Sequence, residues 1–135
     1  MNDGSGDETL DVLREISEPA ITILFHGRNR GKGAAIRTGL QEVTGEFTII
    51  QDADLEYDPQ DYLLLLTPIL SGKAEVVYGS RFRGEHKDFS SLHWLGNKFL
   101  TLTTNLLYRS HLSDMETCYK LFRTDILKTI EFDSN

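Results

Sequence analysis

The feature that most constrains this chain is a short apolar run that ends at a pair of carboxylates. Residues 47–50 are aromatic or β-branched, and Asp52 and Asp54 follow after a single glutamine. Such a run predicts a buried β-strand. In open α/β sheets, ligands bind just beyond the carboxyl ends of strands. The two aspartates therefore occupy a position that is typical of an active site.

Residues i and i+2 of an extended chain point to the same side, so we expect the Asp52 and Asp54 side chains to converge. Two convergent carboxylates repel each other unless a cation lies between them. Carboxylate oxygens suit Mg²⁺ or Mn²⁺, and Glu56 offers a further oxygen. The alternative is that both aspartates only cap the loop before a helix that begins near Pro59. The spacing by itself leaves both interpretations open.

Length and composition set further limits. The 135 residues are enough for one domain, and 39% of them are hydrophobic. No run approaches the roughly 18 apolar residues that span a bilayer, and the polar, acidic residues 1–7 do not resemble a secretory signal. Cys118 is the single cysteine, which excludes an internal disulfide and fits a reducing cytoplasm. The net charge of −7 argues against nucleic acid as a partner.

The charge is unevenly distributed along the chain. Residues 1–75 carry 6 basic and 14 acidic side chains, whereas residues 76–111 carry 5 basic and 2 acidic ones. The basic residues of this second segment are Arg81, Arg83, Lys87, Lys98 and Arg109. A basic segment in an acidic protein indicates an anionic ligand or an anionic membrane surface at that place.

Alternating hydrophobic patterns predict an α/β fold with a mostly parallel sheet and helices on both faces. The right-handed crossover rule then places the loops 26–33, 51–58 and 79–88 on one edge of the sheet. Together these loops supply backbone amides, cations and carboxylates, which are the groups needed to hold a diphosphate and its metal. Predicted helices cover a segment from Asp7 through Ile16 and residues 34–43, 59–71, 92–108 and 124–130; predicted strands cover 20–25, 47–50, 75–78 and 119–122.

Five motifs, in order, resemble those of family 2 glycosyltransferases and cover nearly the whole chain. They are Asn2-Asp3-Gly4-Ser5-x-Asp7, similar to D-D-G-S-x-D; Asn29-Arg30-Gly31-Lys32-Gly33-Ala34-Ala35, similar to N-x-G-K-G-x-A; Asp52-Ala53-Asp54, similar to the D-A-D metal motif; Gly79-Ser80-Arg81, similar to the G-S-R motif of polyprenyl- and dolichyl-phosphate mannosyl- and glucosyltransferases; and the segment Asp114 to Arg123, similar to the D-x-x-T-G-(Y/F)-(K/R)-x-(F/M) segment that closes the active site.

The resemblance implies a GT-A fold, a nucleotide-sugar donor and an inverting mechanism that depends on Mg²⁺ or Mn²⁺. It assigns donor binding to Asp3, to the loop that contains Gly31 and Lys32, and to the aspartate pair. Within that pair, Asp52 and Asp54 would lie at the diphosphate and its metal. Glu56 stands where relatives often have a metal-binding Gln.

The resemblance also implies roles on the acceptor side. Arg81, with the neighbouring Ser80, would contact the acceptor phosphate, and Asp114 stands where relatives place an active-site carboxylate. The expected catalytic residues are therefore Asp54, Asp114 and Arg81. A lipid phosphate is already an anionic nucleophile, so Asp114 would orient basic groups; an acceptor hydroxyl would require it as a base.

The leading hypothesis is transfer of mannose or glucose, from GDP-mannose or UDP-glucose, to a polyprenyl or dolichyl phosphate. The expected location is cytoplasmic, with possible peripheral contact to the cytoplasmic face of a membrane. Two alternatives stay open: transfer to a hydroxyl of a glycan or small molecule, and an inactive, truncated remnant. The remnant is considered because the family's opening V-I-P-x-Y-N-E strand has no counterpart here and because the chain ends at Asn135.

Several other residues have a structural interpretation first. The four histidines, His26, His86, His93 and His111, lack metal-ligand spacing and are expected at the surface or in packing. Cys118 stands where many relatives have Gly and is expected to be packed. The apolar residues of the long fourth helix are expected to form its buried face, with a lipid-facing surface as the second interpretation; these residues are Trp94, Phe99, Leu102, Leu106 and Leu107.

Overall fold

A computed structural model describes residues 1–54, 57–80 and 91–131, with the side chains of the last segment described from Trp94 onward. The chain divides into two compact units. The first unit comprises residues 1–45 together with the chain from Lys128 onward, and the second comprises residues 46–127. Arg81 and Glu56, both named as site residues from the sequence, lie outside the described residues.

The second unit is built on a three-stranded sheet. Its strands are β1 (Phe47–Ile50), β2 (Val76–Tyr78) and β3 (Lys120–Arg123), in the order β1-β3-β2. Both outer strands pair antiparallel with β3, and therefore run parallel to each other. The α/β class is confirmed, but the predicted parallel pairing is not found in this sheet. An apolar run of three or four residues looks the same in either ladder, so its pattern does not reveal strand direction or order.

The register of this sheet brings two loops together. Ile50 and Tyr78, the last residues of the outer strands, both lie opposite Lys120 on β3. The chain therefore leaves β1 and β2 at the same edge of the sheet, where β3 begins. The prediction that the loops after these two strands share an edge is confirmed for this unit.

The helices follow the predicted order with shifted ends. They are α1 (Thr9–Arg14), α2 (Lys32–Glu42), α3 (Tyr62–Leu70), α4 (Ser91–Tyr108) and α5 (Thr124–Leu127), and a 3₁₀ turn over Pro59–Asp61 precedes α3. The Asp58 side chain caps this turn by accepting a hydrogen bond from the amide of Gln60. Among the described helices, none is both long and apolar enough to cross a membrane.

The predicted strand over residues 20–25 is wrong. Only Phe25 makes a bridge there, and its partner is Asn2. The amide of Asn2 donates to the carbonyl of Leu24 at 2.8 Å, and the amide of His26 donates to the carbonyl of Asn2 at 2.9 Å. A strand needs a ladder of partners, and among the described residues the segment finds only this one. The apolar pattern of residues 20–25 was therefore not sufficient to predict a strand.

A small core lies on one face of the sheet, against α3. Leu65 and Ile69 of α3 pack with Tyr119 and Leu121, and each of the four side chains is at most 7% exposed. Burial of four such side chains stabilises this unit by about 1.5–3 kcal/mol each. The core also holds β3 in its central position, on which the shared edge depends.

The long helix α4 buries polar side chains and exposes apolar ones. Asn97 and Thr101 are at most 7% exposed, whereas the apolar side chains Trp94, Phe99, Leu102, Leu106 and Leu107 are 46–79% exposed. The prediction that these apolar residues form the buried face is wrong. Periodicity identifies a face of a helix but not which face contacts the protein. Here the polar face is bonded to the following segment, since Thr101 Oγ1 accepts from the amide of Met115 at 3.2 Å.

The first unit contains one especially close backbone approach, at Gly4. Gly4 has a φ of +76°, a left-handed conformation that favours glycine. A Cβ atom added there would lie 2.4 Å from the carbonyl carbon of Arg28 and 2.5 Å from the amide nitrogen of Asn29. Two loops thus touch through their backbones at a position where no side chain fits.

We expect Gly4→Ala to lower the free energy of unfolding by about 2–4 kcal/mol, because it adds backbone strain to a backbone clash. Urea denaturation followed by circular dichroism measures the change. Gly6→Ala is the matched control, since a Cβ at Gly6 meets nothing within 4 Å. Equal stability of the two variants would contradict the close approach.

Candidate active site

The aspartate pair lies in the loop that leaves β1 at the shared edge. Asp52 is half-buried and Asp54 is exposed. The amide of Asp52 donates to Sγ of Cys118 at 2.9 Å. Cys118 is buried, as the sequence predicted, but its contact with the acidic loop was not predicted. The thiol thus ties the start of the acidic loop to the chain that enters β3.

Tyr57 forms a second tie across the same edge. Its hydroxyl accepts a hydrogen bond from the amide of Cys118 at 2.8 Å and lies 3.4 Å from Oγ1 of Thr117. Its ring packs on Tyr119 with the ring centres 4.4 Å apart, and Tyr62 meets Tyr119 edge-on at 5.5 Å. Burial of Tyr119 raises the pKa of its phenol to about 12, with further contributions from Tyr62 and the carboxylates of Asp61 and Asp58. This phenol stays protonated at neutral pH.

The chain that leaves β2 passes close to the same aromatic group. The amide of Gly79 donates to the carbonyl of Tyr119 at 2.9 Å, and a Cβ on Gly79 would lie 2.9 Å from the Cβ of Tyr119. Glycine is therefore the residue that fits here. Oγ of Ser80 is buried and has no hydrogen-bond partner among the described residues. Ser80, a predicted acceptor-phosphate residue, thus lies at the edge from which the acidic loop leaves.

Asp114 is deeply buried in the second unit. It is 1% exposed, and the nearby Thr117 is 0% exposed. The preceding segment is held by α4, where Asn105 accepts from the amide of Leu112 at 2.9 Å and donates to its carbonyl at 2.8 Å. A carboxylate in this position acts on its immediate protein neighbours. It does not present a free face to solvent.

Asp3 belongs to the first unit, where it holds the glycine-rich loop. Its carboxylate accepts from the amide of Gly31 at 2.7 Å and from that of Arg30 at 3.0 and 3.1 Å. His26 Nδ1 lies 2.5 Å from Oδ1 of the same carboxylate. The hydrogen bond with His26 is the largest cause that lowers the pKa of Asp3 below its ordinary value, and the amides of Arg30 and Gly31 lower it further.

The predicted phosphate loop therefore already contains an anion. Successive amides form a concavity that binds negative charge, and here the Asp3 carboxylate fills it. Gly31 has a φ of +89° and directly precedes α2, which begins at Lys32 rather than at the predicted residue 34. The Lys32 side chain is exposed at the first position of this helix. Gly31 thus shapes the loop, and Lys32 follows it as the first residue of α2.

The residues around Asp52 and Asp54 match a metal that is shared with a ligand. Among the described residues, no group of three His, Cys, Asp or Glu side chains is placed to hold a metal ion. Mg²⁺ is usually bound by one or two protein carboxylates, with substrate phosphates and water completing its coordination. Two carboxylates that follow β1, one half-buried and one exposed, fit this pattern.

The structure brings together part of the predicted site and adds residues that were missed. Asp52, Asp54 and Ser80 follow the outer strands at the shared edge of the second unit. Asp3, Gly31 and Lys32 form a separate group within the first unit. Sequence reasoning missed the bridging contacts made by Tyr57, Cys118 and His26. The signal for Tyr57 was its position after the aspartate motif, and the signal for Cys118 was its position within the Asp114 to Arg123 segment. The signal for His26 was its position at the start of the loop 26–33.

Comparison with known proteins identifies the family. The sequence profile described as glycosyl transferase family 2 matches residues 1–131. That range contains all five motifs and all three strands of the sheet. The chain belongs to glycosyl transferase family 2.

Curated relatives share this family character. The low-salt glycan biosynthesis hexosyltransferase Agl6 of Haloferax volcanii is 30% identical over 131 residues, which are 95% of this chain and 32% of the relative. The UDP-N-acetylglucosamine–dolichyl-phosphate N-acetylglucosaminyltransferase of Methanococcus voltae is 27% identical over 149 residues, covering 96% of this chain and 59% of the relative. An uncharacterized glycosyltransferase of Bacillus subtilis, YkcC, is 34% identical over 91 residues. The chain thus spans only part of each relative.

We expect the carboxylate of Asp3 to make stability depend on pH in the acid range. Its folded-state pKa lies below the ordinary value of 3.8, so its contribution is present above that value and is lost as the pH falls through the lowered one. The difference in free energy of unfolding between wild type and Asp3→Asn should therefore narrow below about pH 4. Urea denaturation over a pH series measures it.

The control for this prediction is Asp11→Asn. Asp11 is exposed and pairs with Arg14 at 3.2 Å on the surface of α1. Its removal should change the free energy of unfolding by less than about 0.5 kcal/mol. A wild-type-minus-Asp3→Asn difference that does not vary with pH would contradict the role of the carboxylate.

Proposed function

We propose that the protein transfers a hexose, mannose or glucose, from a nucleotide-diphosphate sugar to a polyprenyl or dolichyl phosphate with inversion. The observation that carries the proposal is the shared edge of the sheet. There the loop with Asp52 and Asp54 and the loop that starts with Gly79 and Ser80 leave the two outer strands, one on each side of β3, whose last residues both pair with Lys120. Donor and acceptor groups assigned to these two loops would meet at one place.

In this proposal, Asp52 and Asp54 bind Mg²⁺ or Mn²⁺ together with the donor diphosphate, and Glu56 adds a ligand. The bound metal would stabilise the negative charge that develops on the departing nucleoside diphosphate. Cys118 holds the backbone of Asp52 in place, so the carboxylate pair starts from a fixed point. Arg81 and Ser80 bind the acceptor phosphate. The buried hydroxyl of Ser80, which has no hydrogen-bond partner within the described part of the chain, supports a hydrogen bond to such a ligand.

The acceptor class fits the position of Asp114. A phosphate nucleophile is already charged and needs no general base, so a carboxylate buried to 1% exposure is sufficient as an orienting group. The name of the Methanococcus voltae relative describes transfer to dolichyl phosphate, and that of the Haloferax volcanii relative describes a hexosyltransferase. These names support a lipid-phosphate acceptor and a hexose, and they add UDP-N-acetylglucosamine to the donors that should be tested.

The first test is transfer of radiolabelled sugar to polyprenyl phosphate in the presence of Mn²⁺. Donors are GDP-mannose, UDP-glucose and UDP-N-acetylglucosamine. We expect Asp54→Ala to reduce transfer at least about 100-fold, because the developing charge of the leaving group loses its support. Asp61→Asn, which changes a nearby carboxylate outside the motif, should stay near wild type. No transfer from any donor would refute the proposal.

The transfer assay also distinguishes a hydroxyl acceptor from a phosphate acceptor. If the acceptor is a hydroxyl of a glycan or small molecule, Asp114→Asn abolishes transfer to it, whereas transfer to phosphate falls less. If the chain is instead an inactive remnant that still holds a nucleotide, it binds UDP or GDP in calorimetry and shows no turnover. Nucleotide binding without transfer would therefore select this third interpretation.

We also propose that α4 contacts the cytoplasmic face of a membrane. Its outward face carries Phe99, Leu102 and Leu106, all at least 67% exposed. Residues 91–108 contain no Asp or Glu although the chain has a net charge of −7, and the ammonium of Lys98 lies 5.9 Å from the ring centre of Trp94. An apolar face with aromatic side chains and basic flanks is typical of helices that lie in a lipid interface.

We expect the chain to bind vesicles of phosphatidylglycerol more strongly than those of phosphatidylcholine, and Leu106→Glu to weaken this binding about tenfold. Cosedimentation measures it. Leu64→Glu on α3 is the matched control, because Leu64 is 72% exposed and Leu106 is 79% exposed. Equal loss in both variants, or no binding to either vesicle, would contradict the membrane contact.

A further inference from the structure

One buried imidazole in the first unit is not used by any step described above. His26 Nδ1 lies 2.5 Å from Oδ1 of Asp3, and His26 Nε2 lies 2.9 Å from Oγ1 of Thr38 in α2. The His26 side chain is only 7% exposed. Both ring nitrogens are therefore engaged inside the protein. The ring links the loop that contains Asp3 to the helix that follows the glycine-rich loop.

The direction of these hydrogen bonds follows from the charge of Asp3. An ionised carboxylate can only accept hydrogen bonds, so Nδ1 of His26 carries a proton and donates it. In a neutral ring, Nε2 is then the acceptor and takes its hydrogen bond from the hydroxyl of Thr38. The chain Thr38–His26–Asp3 thus has one consistent polarity, in which each group holds the next in a single orientation.

The remaining bonds of Asp3 show what this orientation achieves. Oδ1 accepts from His26 and Arg30, while Oδ2 accepts from Gly31 and shares the amide of Arg30. Three donors thus make four contacts with the two oxygens, because the amide of Arg30 is shared between them. The Asp3 side chain is 18% exposed, which leaves part of it accessible. A ligand N–H or hydroxyl that reaches this part would meet a carboxylate in a fixed orientation.

We propose that His26, supported by Thr38, is a positioning residue that orients the Asp3 carboxylate for recognition of the nucleoside part of the donor. The inference rests on the proposed donor-binding role of Asp3. His26 does not itself contact the donor. Without it, rotation of the Asp3 side chain would release the amides of Arg30 and Gly31, and the carboxylate would lose its fixed orientation. The ligand class is a nucleoside diphosphate whose base or ribose supplies a hydrogen-bond donor.

The experiment uses the whole chain and three variants: His26→Phe, Thr38→Val and Thr38→Ser. Thr38→Val keeps the shape of the side chain and removes its hydroxyl, whereas Thr38→Ser keeps the hydroxyl. Calorimetry measures the affinity for UDP, GDP and inorganic pyrophosphate with Mn²⁺. Nitrogen chemical shifts of the His26 ring and amide shifts of Arg30 and Gly31 are recorded without metal or ligand.

We expect nucleoside diphosphate affinity to fall about tenfold in His26→Phe and about threefold in Thr38→Val, while Thr38→Ser stays near wild type. Pyrophosphate affinity should be unchanged in all three, because pyrophosphate lacks the nucleoside that Asp3 recognises. A purely structural role would instead lower both affinities together, in proportion to lost stability. The wild-type spectrum should show a proton on Nδ1, and the Arg30 and Gly31 amides should shift in His26→Phe.

Three outcomes overturn the inference: a proton on Nε2 alone, unchanged amide shifts in His26→Phe, or equal loss of nucleotide and pyrophosphate affinity. If His26→Phe does not fold, the comparison of Thr38→Val with Thr38→Ser tests the inference. The quantity compared is then the loss of nucleoside diphosphate affinity relative to the loss of pyrophosphate affinity. If the wild type binds neither UDP nor GDP, the proposed donor site itself has failed and the inference falls with it. The ring and amide shifts then still report whether His26 orients Asp3, so the two failures are distinguishable.

Discussion

The second unit depends on the pairing of one central strand with two outer ones. Because β3 pairs with β1 and β2 in a register that sets Lys120 opposite both Ile50 and Tyr78, the chain must leave both outer strands at one edge. The core formed by α3 and the start of β3 keeps this register, since a slip by one residue would turn the buried side chains of β3 to the opposite face. The loop that carries Asp52 and Asp54 and the chain that continues through Gly79 and Ser80 therefore leave the sheet at the same edge, one on each side of β3.

Hydrogen bonds and a close backbone contact at this edge attach the loops to the chain that enters β3. Tyr57 and Cys118 bond across the gap between the acidic loop and β3, and the backbone of Gly79 lies against Tyr119. Functional loops are often the most mobile parts of a fold. Here partly buried hydrogen bonds hold the backbone beside the aspartates, which is what a site needs if it is to present two like charges in a fixed arrangement.

In the first unit, hydrogen bonds also hold a loop backbone in place, and the acceptor there is a carboxylate. The Asp3 carboxylate fills the concavity of amides that the glycine-rich motif forms, and His26 holds that carboxylate from the other side. The motif therefore binds an internal anion. The backbone also contributes to the close packing of this loop, since Gly4 approaches Arg28 so closely that only glycine fits. A single aspartate thus organises a loop to which the sequence motif alone would assign phosphate binding.

The sequence by itself determined the α/β class, the positions of most helices and strands, and the family. These follow from local patterns: the apolar run before Asp52 and Asp54, helical spacing, and motifs whose order is unambiguous. It did not determine strand direction, the missing ladder at residues 20–25, the outward apolar face of α4, or the contacts of Cys118 and His26. Each of these depends on which distant segment lies alongside, and neither periodicity nor spacing carries that information, because the same pattern is compatible with several partners. Only the tertiary structure decided them.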